Sequence, residues 1–151
     1  MAENLLSERL SIVGTVDADS YSTQTVYTDA FDMRKWRKVM AIALTGTFAT
    51  AASVVGIMYA GASSTGAWTT ITGKTFSMTE VASGTNHQSI INLSSAEVQS
   101  TGKRWARLGV TLSGASSVDF AAVVIADRGR FAEPWTTIAF GDLSSVEDIV
   151  A

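Results

Sequence analysis

Two short groups of basic residues each enclose a tryptophan, Arg34-Lys35-Trp36-Arg37-Lys38 and Lys103-Arg104-Trp105-Ala106-Arg107. Cations interleaved with aromatic rings can bind nucleic acid, because the cations attract phosphates while the rings stack on bases. The whole chain, however, carries 11 basic and 14 acidic residues, a net charge of −3. We therefore expect the tryptophans to pack inside the fold, the cations to reach solvent, and nucleic acid not to be bound directly.

Residues for catalysis or metal binding are few, since the chain has one histidine, His87, and no cysteine. Nothing marks a nucleophile or an acid that would complete a triad with His87, and zinc lacks its usual ligand set. Asp17, Asp19, Asp29 and Asp32 carry oxygens suited to calcium, but their spacing does not match an EF-hand loop, so turn-forming aspartates are expected instead. Glycine-rich phosphate loops are absent. The sequence predicts no enzyme, no cofactor and no metal site.

The elements that position these residues are predicted to be strands, because Ser and Thr make up roughly a quarter of the chain and proline occurs once. Trp105 to Leu112 and Val118 to Ile125 alternate most clearly between apolar and other residues. Turn residues Ser113 to Ser116 separate them, which predicts a central antiparallel hairpin. The second segment becomes apolar on both faces towards its end, which indicates burial between two layers.

The rest of the chain continues the strand pattern. Further strands are predicted at Ser20 to Thr28, Val39 to Leu44, Ser53 to Ala60, Trp68 to Phe76 with a break at Gly73, and Gln88 to Leu93. Met33 to Lys38 is interpreted as a charged connector, and capping boxes predict helical turns at Ser94 to Glu97 and Ser144 to Glu147. About eight strands favour an all-β fold, an antiparallel β-sandwich of jelly-roll type with short helical turns.

No membrane or export segment is predicted. The weakly polar stretch Val39 to Ala62 contains Thr, Ser and Gly throughout, so two strands and a turn are expected there rather than a membrane helix. The start, Met1 to Leu10, lacks the basic and long apolar regions of a signal peptide, which argues against Sec-dependent secretion.

The composition changes after Pro134, where apolar residues have no evident pairing partner upstream. The predicted organisation is a sandwich domain of residues 1–132 followed by an extended C-terminal arm of residues 133–151. The arm either folds back over the sandwich or lies on a neighbouring subunit. Arg128-Gly129-Arg130 precedes it, and arginine forks suit carboxylates on a partner surface.

Several segments, in their order and spacing, carry a resemblance to a known family. They are Tyr27-Thr28-Asp29-Ala30-Phe31-Asp32-Met33, Ile71-Thr72-Gly73-Lys74, Ile91-Asn92-Leu93 followed by Glu97, Arg104-Trp105-Ala106-Arg107-Leu108, Ser113-Gly114-Ala115 and Arg128-Gly129-Arg130-Phe131-Ala132. In this pattern the chain resembles small virion structural proteins of tailed bacteriophages, of the capsid decoration (cement) type. It departs from the pattern at Val54 to Ala60, which is more apolar than the strand usual in similar proteins.

The resemblance implies a jelly-roll or sandwich subunit without catalysis, present in many copies on the capsid exterior and made in the bacterial host cytoplasm. The implied partners are the major capsid protein and other copies of the chain, with a homotrimer as one form. The predicted interface with subunits or capsid comprises Arg128, Arg130, Phe131, Trp135, Ile138 and Phe140.

Other roles remain open for the same fold, because a fold does not fix a function. The chain could be a head-fibre or tail component of the virion. It could also be a glycan-binding jelly-roll module in which Trp36, Trp68 or Trp105 stacks on a sugar ring.

Overall fold

A computed structural model describes residues 10–46, 52–79, 86–114 and 117–129. Within these ranges the chain forms nine strands and one short helix. Strands β1 to β9 span Leu10–Tyr21, Gln24–Tyr27, Phe31–Asp32, Trp36–Thr45, Ser53–Gly61, Trp68–Thr79, Gln88–Ser94, Trp105–Ser113 and Val118–Gly129, and helix α1 spans Ser95–Gln99. No helix in the described ranges has the length and apolar character that a bilayer crossing requires.

The strands form two antiparallel sheets that pack face to face. Sheet A has the order β1-β9-β4-β7, and sheet B has the order β2-β8-β5-β6, with the short β3 also pairing β8. The chain crosses repeatedly from one sheet to the other, which gives the interleaved strand order of a jelly roll. The structure thus confirms the predicted all-β, jelly-roll-like sandwich.

The core lies between the sheets and is built by alternation along each strand. On β8, Ala106, Leu108, Val110 and Leu112 are fully buried, and β9 contributes a matching inward series, Val118, Phe120, Ala122 and Val124. Both series were predicted from the alternation.

The predicted hairpin between these two strands is wrong. β8 pairs with β2, β3 and β5, whereas β9 pairs with β1 and β4, so the two strands lie in different sheets. Each buries one apolar face, and the two faces meet across the core. The turn residues between Ser113 and Ser116 permit a reversal of the chain, but they do not determine whether the next strand pairs with the last or crosses to the facing sheet.

The predicted strand from Ser20 to Thr28 is also divided. β1 ends at Tyr21 and β2 begins at Gln24, so the chain passes from sheet A to sheet B at this corner. The Tyr21 hydroxyl donates to the Asp17 carbonyl (2.8 Å) at the end of β1. The predicted connector from Met33 to Lys38 is shorter than expected, because β4 already begins at Trp36.

Helix α1 confirms the first predicted capping box. The Ser94 amide donates to Glu97 Oε2 (2.8 Å), and the Glu97 amide donates to Ser94 Oγ (3.4 Å). Glu97 also forms an ion pair with Lys74 on β6 (2.7 Å). Lys74 and then the Ser94 amide lower the pKa of Glu97 to about 2. The second predicted capping box, at Ser144 to Glu147, lies outside the described residues.

Candidate interaction surfaces

The residues considered for catalysis or metal binding do not form a reactive site in the part of the chain that the structure describes. No group of three or more His, Asp or Glu side chains there is arranged to hold a metal ion. Asp32 pairs with Arg104, whereas Asp19 accepts a hydrogen bond from the neighbouring Ser20 amide. His87 lies just before β7, and its amide donates to Thr45 Oγ1 (2.8 Å), which ties the end of β4 to this segment.

The outer side of sheet A carries apolar residues on all four strands, although the same rows also contain Thr15 on β1 and Asn92 and Gln88 on β7. The inward residues of β4, Val39, Ala41 and Ala43, are buried, so the alternate residues point outwards. Cross-strand pairs join Ile12 to Ile125 and on to Met40, Val123 to Ile42 and on to Ile90, and Ala121 to Leu44. We call these eight residues the apolar face. It is partly open to solvent, with Leu44 42% and Ile90 59% exposed.

The apolar face is contiguous and has no cover in the described residues. Eight residues, each covering about 4.8 Å across the strands and about 7 Å along them, give an area of about 270 Å². Many single domains expose an apolar patch of a few hundred Å², and such patches often bind a partner. A hollow of about 400 Å³ borders the face beside Leu44 and Ala121, and Asp19 and Asp119 add acidic groups to its wall.

Strand β9 explains the two-sided apolar pattern seen in the sequence. Its inward residues, such as Phe120 and Val124, fill the core, while Val123 and Ile125 lie on the apolar face. The sequence predicted that β9 is buried between two layers. Its inner side is covered by sheet B, but the described residues place no layer over its outer side. An apolar surface of this kind is stabilised when a second layer removes it from water.

The outer side of sheet B carries a cluster of one cation and three aromatic rings. The guanidinium carbon of Arg107 lies 3.9 Å from the ring centroid of Tyr27, 4.4 Å from that of Trp68 and 6.0 Å from that of Tyr59. We call these four residues the arginine cluster. Tyr27 and Tyr59 also meet edge to face, with centroids 6.2 Å apart and planes at 66°.

The cluster depends on Gly109, which lies on the outer side of β8 beneath the two tyrosines. A Cβ atom at this position would come within 2.7 Å of the Tyr59 ring and 2.8 Å of the Tyr27 ring. Glycine thus lets both rings lie against the sheet, and they reach Arg107 from opposite neighbouring strands, β2 and β5.

The two tryptophan-containing basic groups have different environments. Trp36 is 3% exposed and belongs to the core, while the flanking cations such as Arg37 are exposed, as predicted. In the second group, Trp105 is only partly buried and contacts Arg104, with 5.3 Å from guanidinium carbon to ring centroid. Arg107 instead joins the arginine cluster.

Of the predicted interface residues, Arg128 lies near the end of β9 in sheet A. The others, Arg130, Phe131, Trp135, Ile138 and Phe140, lie outside the described residues, as does the whole predicted arm. The apolar face and the arginine cluster were not predicted. Each of the two surfaces draws its residues from four different strands, so no short sequence motif marks either one. The alternation of β8 nevertheless places Arg107 on the face opposite the buried Ala106 and Leu108.

Comparisons with known proteins give a likeness in fold. No protein-family model matches the chain, and no curated protein matches it in sequence. The exported protein XepA of PBSX is 16% identical with a TM-score of 0.51, over 87% of this chain and 41% of XepA. The VP2 subviral particle of infectious bursal disease virus is 13% identical with a TM-score of 0.50, over 79% of this chain and 32% of the viral chain.

A structure of the infectious bursal disease virus Gx strain gives similar values, 12% identity and a TM-score of 0.50, over 82% of this chain and 33% of the viral chain. This chain thus spans about two fifths of XepA and about a third of the viral chains. At these identities the likeness concerns the fold.

Proposed function

We propose that this chain is a non-catalytic structural protein of a bacteriophage virion, and specifically a capsid decoration (cement) protein that binds the outside of the head. The observation that carries the proposal is the apolar face of sheet A. A surface with eight apolar residues in three rows is suited to burial against another protein surface. The apolar outer side of β9 would then gain its second layer in the assembled particle.

The fold and the sequence pattern support a virion role. The chain resembles small virion proteins of tailed phages in sequence pattern, and it shares its fold with the VP2 subviral particle of infectious bursal disease virus. A jelly roll offers two broad sheet faces, which suits a subunit that must contact a shell on one side and solvent on the other.

We further propose that residues 133–151 act as an arm on a neighbouring copy or on the major capsid protein. The segment carries Trp135, Ile138 and Phe140, which need cover from water. It follows β9, a strand of sheet A, so an arm and the apolar face would contribute to one continuous interface. An apolar face of about 270 Å² per partner is small for a stable protein interface, which typically buries about 800 Å² per partner, and an arm would add the missing area.

Decoration would act by mass action. A subunit that bridges neighbouring capsid proteins in the mature shell binds that state better than a loosened one, and so stabilises it by the free energy of binding. Such a role requires affinity and copy number but no chemical step.

The glycan-binding alternative has less support from the structure. Trp36 is buried in the core, and Trp68 has a ring face against Arg107. Trp105 also contacts a guanidinium group, that of Arg104. Stacking on a sugar requires an open ring face, so these contacts disfavour the arrangement that the sequence suggested.

Co-sedimentation with capsids tests the proposal. The purified full-length protein is mixed with undecorated mature capsids of the phage that encodes it, and light scattering gives its own oligomeric state. We expect saturable binding at a fixed ratio to the major capsid protein, and weaker binding after removal of Pro134 to Ala151. An absence of co-sedimentation with capsids would contradict the decoration role and favour a tail, fibre or glycan-binding role.

A further inference from the structure

The arginine cluster on sheet B has binding chemistry that assembly through sheet A does not use. Arg107 is clamped between the rings of Tyr27 and Trp68, at 3.9 and 4.4 Å from their centroids. We propose that the cluster is a docking site for an acidic segment of a partner polypeptide, with a carboxylate of that segment held by the Arg107 guanidinium. This proposal does not depend on the chain being a decoration protein.

The first argument is that Arg107 is held in place without an anionic partner. Among the residues that the structure describes, no carboxylate forms an ion pair with it. Its Nε is buried without a hydrogen bond and is out of reach of a partner, but its two terminal nitrogens are not among the buried atoms without a hydrogen bond, so a carboxylate would bind there. Aromatic rings attract a guanidinium through its face but leave the N–H groups at its edge without acceptors. A carboxylate accepts two such N–H groups in parallel, which is the strongest hydrogen-bonding arrangement open to arginine.

The second argument is that further cations lie at the end of the sandwich where β8 begins, since Lys103 and Arg104 directly precede this strand. Lys103 Nζ donates to Thr69 Oγ1 (2.7 Å) at the end of the sheet, on the side of β6 opposite to Trp68. Lys103 also lines a groove of about 480 Å³ together with Arg34 and Arg104.

Arg104 is ion-paired with Asp32, which leaves Arg34 and Lys103 as the other cations that line this groove; Arg107, on β8, does not line it. This local positive charge stands out in a protein with a net charge of −3. An extended polypeptide with several acidic side chains complements such a series of cations.

The third argument favours a polypeptide over an acidic glycan. Sugar rings stack on open aromatic faces, whereas the guanidinium covers one face each of Tyr27 and Trp68 and Tyr59 meets Tyr27 edge to face, which leaves less open ring surface. Tyr, Trp and Arg in contact are the residues that dominate the energy of protein–protein interfaces. Gly109 beneath the rings sets their position before any partner arrives, which lowers the entropy cost of binding.

The test uses the full-length protein and poly-L-glutamate as the acidic polypeptide, with polygalacturonate as a glycan of similar carboxylate density. Dissociation constants are measured by isothermal titration calorimetry at low ionic strength. The variant Arg107→Met keeps an unbranched side chain between the rings but removes the charge. Arg37→Met, which removes an exposed cation from β4 in sheet A, is the matched control.

We expect Arg107→Met to weaken poly-L-glutamate binding about tenfold or more, and Arg37→Met to change it less than twofold. Arg107→Lys keeps the charge without the planar fork, so its binding should fall between wild type and Arg107→Met, and it serves if the methionine variant does not fold. Equal binding by wild type and Arg107→Met, an absence of binding by wild type, or tighter binding of polygalacturonate than of poly-L-glutamate would each overturn the proposal. Capsid co-sedimentation of the same variants reports separately on the decoration role.

Discussion

The two outer faces of this sandwich differ although the sheets behind them share one core. Sheet A presents aliphatic side chains in register across its strands, with Ile42 opposite Ile90 and Val123. Sheet B presents hydroxyl side chains that pair with each other, such as Thr25 with Thr111 (3.0 Å between Oγ1 atoms), beside the arginine cluster. The outer side of sheet B thus mixes hydroxyl, aliphatic, aromatic and charged side chains, with Val55 and Ile57 beside Thr111 and Gly109, whereas that of sheet A is mainly aliphatic and better suited to broad burial against another protein.

The comparison also separates two kinds of recognition. A broad aliphatic surface gains free energy in proportion to the area that it buries and confers little directional specificity. One clamped arginine buries little area but requires a partner group of defined charge and geometry. Sheet A is thus the candidate for strong assembly, and sheet B for selective binding.

The largest expected effect comes from charging the apolar face. The double variant Leu44→Glu, Ile90→Lys places charges at its two most exposed positions without changing the net charge. We expect capsid attachment or self-association to weaken by at least about a hundredfold, because two buried charges would each cost several kcal/mol in an interface. Co-sedimentation and light scattering measure this effect.

The control for that variant lies on sheet B. Thr70→Glu with Ser77→Lys introduces the same charges at exposed positions of β6, and it should leave attachment unchanged. If both double variants attach equally well, sheet A is not the assembly surface.

A smaller effect is expected from Gly109→Val, which tests the support of the arginine cluster. The added side chain would displace the rings of Tyr27 and Tyr59, and overpacking of this kind lowers the free energy of unfolding by about 1–3 kcal/mol. Denaturant unfolding measures the loss. Thr111→Val, two residues along the same strand, should change it by less than about 0.5 kcal/mol. A Gly109→Val protein as stable as wild type would show that the rings move aside freely.

An exchange of one hydroxyl for one methyl group on each face sharpens the comparison further. Val123→Thr puts a hydroxyl in the middle of the apolar face with almost no change in shape, and it should weaken assembly about tenfold because the hydroxyl is buried without a partner. Thr111→Val makes the reverse change on sheet B and should leave assembly unchanged. Sedimentation equilibrium gives both dissociation constants, and equal effects would contradict the assignment of the two faces.

The smallest effect concerns the ion pair that joins the two sheets at one edge. Glu97 follows β7 of sheet A, and its partner Lys74 lies on β6 of sheet B. Because Glu97 has its pKa lowered to about 2 in the folded protein, its contribution to stability is present above pH 4.5 and is lost as the pH falls towards 2.

Glu97→Gln should therefore lower the free energy of unfolding at pH 7 by about 0.5–1 kcal/mol, a small value because Glu97 is 41% exposed. The difference from wild type should disappear near pH 2, as measured by denaturant unfolding across this range. A difference that is constant with pH would show that the charge of Glu97 is not involved.

The sequence predicts the strands better than their arrangement. Alternation identified the buried side of β8 and β9, and a capping box located α1, because these signals come from neighbouring residues. The assignment of β8 and β9 to facing sheets depends on contacts with β1 and β5, far away in the chain, so the predicted hairpin between them was wrong.

The apolar face and the arginine cluster were also hard to predict, because they depend on how distant strands are arranged. Arg107 and Trp68 are distant in sequence and meet only through the order of strands in sheet B. The sequence did indicate part of the apolar face, because the segment that forms β9 is apolar on both sides. Five of the six predicted interface residues, Arg130, Phe131, Trp135, Ile138 and Phe140, lie beyond the described residues, and the predicted interface stays a prediction.

In the assembled particle, the outer side of sheet A is expected to be covered by another protein, whereas part of the outer side of sheet B, including position 77, stays open to solvent. Because the chain has no cysteine, Ile90→Cys on the apolar face and Ser77→Cys on sheet B each provide one unique thiol. Labelling rates with a maleimide are compared for the free protein and for capsid-bound protein. The account predicts that Ile90→Cys labels at least about tenfold more slowly when bound while Ser77→Cys keeps its rate, and an unchanged rate at position 90 would contradict it.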